Sequence, residues 1–125
     1  PYEPFVIYEF FTITKINIVK EIKMSIRKQY LKSKPVCKAT FRIPEEMGNS
    51  AKTAHIVGEF NNWTFFSTPM KKLKCGAFTT TLDLDTGREY QFRYLLDKKI
   101  WENERDADKS IPTPYGDSEN SVIVI

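Results

Sequence analysis

Alternation is clearest between residues 36 and 43, where Cys37, Ala39, Phe41 and Ile43 interleave with Lys38, Thr40 and Arg42. A period of two with one apolar face predicts a half-buried strand, and Pro44, which cannot donate to a sheet ladder, stops it. Residues 88 to 97 predict a second strand of this kind: Tyr90, Phe92, Tyr94 and Leu96 face one way, Gln91, Arg93 and Leu95 the other. Between them the pattern predicts strands at 53 to 58 and 70 to 73, and one at 77 to 84 with Phe78, Thr80, Leu82 and Leu84 on one face. Residues 45 to 52 read as a surface loop, because Gly48, Asn49 and Ser50 fall together. Asp85-Thr86-Gly87 is a tight turn with Gly87 at positive φ. Lys98-Lys99 turns the chain into Ile100-Trp101-Glu102, a loop with Pro112, Pro114 and Gly116 follows, and residues 121 to 125 close as a strand. No helical stripe occurs in the second half, so sheets must bury one another's apolar faces. The expected fold is all-β, a sandwich of about seven strands.

Residues 1 to 30 are set apart as an extension, and 31 to 125 as the domain. The stretch from Phe5 to Ile26 is β-branched, yet Ile16, Val19, Ile22 and Ile26 also fit helical spacing. An extra strand, a packed helix and a tail are all open there. Met24-Ser25 reads as a start of translation, and Glu3 and Glu9 stand where a secretion signal is basic. The expected location is the cytoplasm.

Composition narrows the function classes. The chain has 125 residues, 41 % of them hydrophobic, enough for one core. No run approaches the roughly 18 apolar residues of a membrane helix. A net charge of +3 from interspersed acids and bases makes no case for nucleic acid. Cys37 and Cys75 leave one bridge or two free thiols; two free thiols in a reducing compartment is the reading taken. With the single His55 they are too scattered for a metal site, and no cofactor is expected. His55 reads as a partly exposed or hydrogen-bonded strand residue. Glu102, Glu104, Asp106 and Asp108 form the one dense carboxylate cluster and read as a solvated face, since a catalytic pair needs two carboxylates held across a cleft.

Aromatics stand at 14 %, high for so small a chain. Some belong in the sheets. Trp63, after two asparagines in a polar loop, and Trp101, beside a lysine-rich turn, are each either packed or exposed for stacking on a sugar or a partner protein. An indole covers the apolar face of a sugar ring, while amides and cationic donors bind its hydroxyls. Asn61, Asn62, Arg93, Lys98, Lys99 and Asn120 are residues of those types, and Arg93 projects from the face opposite the core.

The ordered set Val57-Gly58-Glu59-Phe60-Asn61-Asn62-Trp63, Pro69-Met70, Asp83-Leu84, Gly87, the run from Tyr90 to Asp97, and Trp101 resembles carbohydrate-binding module family 48. That family includes glycogen-binding and isoamylase N-terminal domains, and the likeness over residues 35 to 125 is to its free-standing bacterial members. The resemblance implies an immunoglobulin-like (early-set) sandwich that binds α-1,4-glucan, glycogen or starch-like, without catalysis. It implies that Trp63 and Trp101 stack on glucose rings and that Asn120 binds hydroxyls. Arg93 takes the place of a family lysine and Tyr115 that of a leucine, and the family threonine falls near Asp117 or Ser118. Lys98 is a further candidate donor. The turn before Trp101 is one residue longer than the family's. The competing expectation is an early-set domain that binds a protein, such as a glucan-metabolising enzyme, and no glycan.

Overall fold

A computed structural model describes residues 26–48, 50–114 and 118–125. The expectations for residues 1 to 25, Tyr115 and Asp117 lie outside them. The described residues form nine strands: β1 (Ile26–Tyr30), β2 (Val36–Ile43), β3 (Ala54–Gly58), β4 (Lys71–Lys72), β5 (Phe78–Asp85), β6 (Glu89–Leu96), β7 (Ile100–Glu102), β8 (Lys109–Pro112) and β9 (Glu119–Val124). The first sheet runs β1-β2-β5-β4 and the second β3-β6-β9-β8, with β7 also on β6. All pairings are antiparallel. Four strands facing three in this order are the arrangement of a constant-type immunoglobulin domain, and β7 and β8 are inserted before its last strand. A further mark of that fold is the Tyr90 hydroxyl, which donates 3.0 Å back to the carbonyl of Asp85 across the turn.

The alternation in β2 and β6 became the core. Ala39, Phe41, Ile43, Tyr90, Phe92 and Tyr94 are buried with Ile56, Phe78 and Ile123. Phe92 meets Phe41 edge-on at 5.1 Å, joining the sheets at their centre. Gly87 has φ of +78°, as the turn requires.

Four readings are corrected, and one left open is decided for its last five residues. Ile26–Tyr30, inside the segment set apart as an extension, is an edge strand on β2; Lys28 reaches from it across to Asp108 Oδ2 (2.8 Å) and the Val124 carbonyl (2.9 Å) of the facing layer. Lys109–Pro112 is also a strand; four residues ending in proline suit an edge and carry too little alternation to be read. Residues 45 to 52 are not all surface loop. A short helix, α1 (Glu45–Gly48), starts where the Pro44 carbonyl accepts the N–H groups of Met47 and Gly48, and Gly48 is buried against Phe78. The strand expected at 70 to 73 shrinks to Lys71–Lys72, while Met70 enters the core. Finally, the carboxylates do not form one solvated face. Glu104 is buried and accepts the Tyr94 hydroxyl, and Asp108 pairs with Lys28. Burial pushes the Asp108 carboxyl up, but the hydrogen bonds from Lys28 and the Val124 N–H outweigh it and leave it below the ordinary carboxylate value.

Candidate functional site

The outer face of the second sheet is not a plain solvent face. Val57, Leu95 and Val122 point away from the core by register, yet all three are buried. The loop between β3 and β4 runs against this face, where its Phe66 meets His55, the partner of Leu95. Its start is stapled by Asn61, whose Oδ1 accepts the Gly58 N–H (3.0 Å) and whose Nδ2 donates to the Ile56 carbonyl and Thr68 Oγ1 (both 3.0 Å). Asn61 is therefore engaged in structure rather than free as a ligand donor. Asn62 and Trp63 both adopt the left-handed conformation, φ 56° and 57°, and the Trp63 N–H bonds back to the Gly58 carbonyl at 2.8 Å. A bulky residue in that region is strained by of order 1 to 2 kcal/mol, and such strain gathers at functional positions. Here it throws the indole of Trp63 out over the sheet.

Trp101 arrives from the opposite edge of β6. The longer turn before it is absorbed locally. Asp97 and Lys98 both take positive φ, the Lys99 N–H bonds to the Leu96 carbonyl, and Leu96 pairs with Ile100. Trp101 then falls opposite Leu95, on the outer face. Asp97 pins the turn by accepting the N–H groups of Lys52 (2.7 Å) and Thr53 (3.1 Å), which hold its carboxyl below the ordinary value.

Between the two indoles lies a cleft of about 580 Å³ lined by Trp63, Phe65, Arg93, Trp101, Thr113, Pro114, Ser118 and Asn120. Neither indole is swallowed by the core: Trp63 is 36 % and Trp101 38 % exposed. Arg93, on β6 between them, donates from Nε to Asn120 Oδ1 (2.8 Å), and Asn120 donates from Nδ2 to Gln91 Oε1 (3.0 Å). This chain fixes the guanidinium and leaves its terminal N–H groups without a partner among the described residues. The described lining has one cation and no carboxylate.

The structure thus gathers four of the sequence candidates, Trp63, Arg93, Trp101 and Asn120, into one cleft. Ser118, near which the family threonine falls, also lines it, hydrogen-bonded to Thr113. Lys98 does not line it; its ammonium lies 5.4 Å over the Phe66 ring. Tyr115 lies outside the described residues. Phe65 and Thr113 were not singled out by the sequence reading. Two adjacent phenylalanines in a polar loop were the available signal for Phe65. Among the described residues no group of His, Cys, Asp and Glu is arranged to hold a metal, and no helix is long and apolar enough to cross a membrane. Cys37 is buried and Cys75 exposed, both as free thiols.

His55 differs from its expected exposed or hydrogen-bonded state. It is buried, its Nδ1 has no hydrogen-bond partner among the described residues, and Phe66 meets its ring edge-on at 5.4 Å. Burial, and next the Lys98 charge, lower its pKa from 6.5. The unfolded chain therefore takes up this proton more readily. The His55 contribution is complete above about pH 6.5 and is lost as pH falls through the lower folded value. Melting curves between about pH 7.5 and about pH 5 are expected to show that decline, and His55→Leu to reduce it. An unchanged slope in the variant would show that other groups cause it.

No protein-family model matches the chain, and no curated protein matches it in sequence. The fold assignment rests on the strand order and the exposed aromatic surface on the geometry above.

Proposed function

We propose that this domain is a non-catalytic carbohydrate-binding module of the family 48 type, and that its cleft captures α-1,4-glucan. The observation that carries this reading is the presence of two part-exposed indoles in one cleft with the Arg93–Asn120 pair between them. The indoles offer apolar faces to pyranose rings. The guanidinium and the amide offer donors and an acceptor to hydroxyls. Free Cys37 and Cys75 support a reducing, cytoplasmic setting. Affinity should be modest, because an open surface leaves little surplus after ordering costs.

A protein partner is the second reading. It is favoured by apolar surface that continues from Phe65 in the cleft to its exposed neighbour Phe66.

Electrophoresis through native gels containing glycogen separates the two. The glucan reading expects the native chain to be retarded, and Trp63→Ala and Trp101→Ala each to weaken binding by about 30-fold or more, as for a central aromatic anchor. Both rings are partly exposed, so the variants should stay folded. Equal mobility of the native chain with and without glycogen defeats the glucan reading.

A further inference from the structure

Phe65 and Phe66 are neighbours in the chain with opposite attachments. Phe66 turns onto His55 and under Lys98. Phe65 turns into the cleft and stands nearly perpendicular to Trp101, at 80° with ring centroids 5.2 Å apart. It also stands edge-on to Phe66 at 6.1 Å. The ring is 49 % exposed, so it is not there to fill the core. Its position is set from both sides: Asn61 and the left-handed pair at 62 and 63 before it, and Phe66 on His55 after it.

From this geometry we infer that Phe65 is a specificity-determining wall, which makes the cleft accept a curved glucan and refuse a straight one; the inference rests on the α-glucan reading above. A β-1,4-glucan is a flat ribbon, and its rings lie best on coplanar aromatic platforms. An α-1,4-glucan turns steadily, so its successive rings present faces in different directions. Two aromatic planes at 80° cannot both lie against a ribbon, whereas a turning chain can meet one and then the other. The selection is by shape, through a rigid apolar side chain, and needs no additional hydroxyl contact.

The test measures retardation of the native chain, Phe65→Ala and Phe65→Tyr in gels containing glycogen or hydroxyethylcellulose, a soluble β-1,4-glucan. The native chain should be retarded by glycogen and not by hydroxyethylcellulose. Phe65→Ala should lose about three- to tenfold in glycogen affinity, and its preference for glycogen should narrow by at least that factor; Phe65→Tyr, which keeps the wall, should behave as the native chain. Melting temperatures of the three proteins control for folding. Glycogen affinity unchanged in Phe65→Ala, or a native chain held equally by both polymers, overturns the role of Phe65 and leaves glycogen binding itself standing. A native chain that migrates freely in glycogen overturns the α-glucan reading and this inference with it.

Discussion

Gly58→Ala should lower the melting temperature by roughly 12 °C or more, from a cost of about 3 kcal/mol. The cause is steric. Gly58 ends β3 opposite Phe92, and a Cβ there would lie 2.5 Å from the Gln91 carbonyl oxygen and 2.6 Å from Phe92 Cβ. Both belong to the central strand β6, whose ladder holds it on two sides, so neither can retreat. The backbone of Gly58 is extended, φ −169°, and adds no dihedral strain. Gly87 provides the contrast. Nothing lies within 4 Å of its would-be Cβ, but its φ is +78°, so Gly87→Ala should cost only about 1 kcal/mol. Calorimetry on the two variants distinguishes close approach from backbone conformation. A Gly58→Ala protein that melts within a few degrees of the native one would mean the β3–β6 contact yields. The loop that carries Trp63 and Phe65 starts at Gly58, so the damage should extend to glycogen retention.

Glu104→Ala should be nearly as harmful, at about 3 kcal/mol. Glu104 is 6 % exposed. Its carboxylate accepts the buried Tyr94 hydroxyl and, at 2.9 Å, the N–H of Asp106, while its own N–H donates to Ser121 Oγ at 2.9 Å. Burial drives the Tyr94 phenol well above its ordinary pKa, and the adjacent Glu104 charge adds to this, so the phenol stays protonated and remains a donor. Truncating Glu104 strands that donor between the sheets and unties the segment between β7 and β9. Arg105→Ala, at the exposed neighbour whose guanidinium is 4.0 Å from Glu46, should change stability by no more than about 0.5 kcal/mol. Denaturant titrations of both variants check the contrast, and equal midpoints would show that Glu104 is no more than a surface acid.

These cases show what periodicity conveys. Alternation in residues 36 to 43 and 88 to 97 identified the inward residues of β2 and β6, because a strand with one buried face writes its period into the sequence. It says which way a side chain points and nothing about what later covers it. Leu95 points outward as read, but it is buried, with Trp101 opposite it on β7 and His55, met by Phe66, opposite it on β3. Glu104 belongs to an acidic stretch typical of surface, and its burial depends on Tyr94 of another strand. His55 is buried by Phe66, from a loop whose path depends on two left-handed residues that no pattern announces. Arg93 was legible as outward-facing from alternation, whereas polar neighbours left Trp63 and Trp101 open to either packing or exposure. Their approach to one another required the fold, because they come from a loop on one edge of β6, a hairpin on the other, and β6 itself. β1 was left open among alternatives and β8 was missed for a different reason. Edge strands are short and charged, and in them the pattern is weakest.

On one side β6 is shared end to end, its first half bonded to β9 and its last three residues to β7. The two partners are thus anchored separately, and the excursion between them, residues 103 to 118, hangs from its own fastenings at Glu104 and Ser121. One rim of the cleft, at Thr113, Pro114 and Ser118, belongs to the end of that excursion, beyond β8. Its length and chemistry are free to drift through insertion or exchange while the floor under Arg93 stays in place. The rim beyond β8 and the floor on β6 are in this way drawn from different stretches of chain.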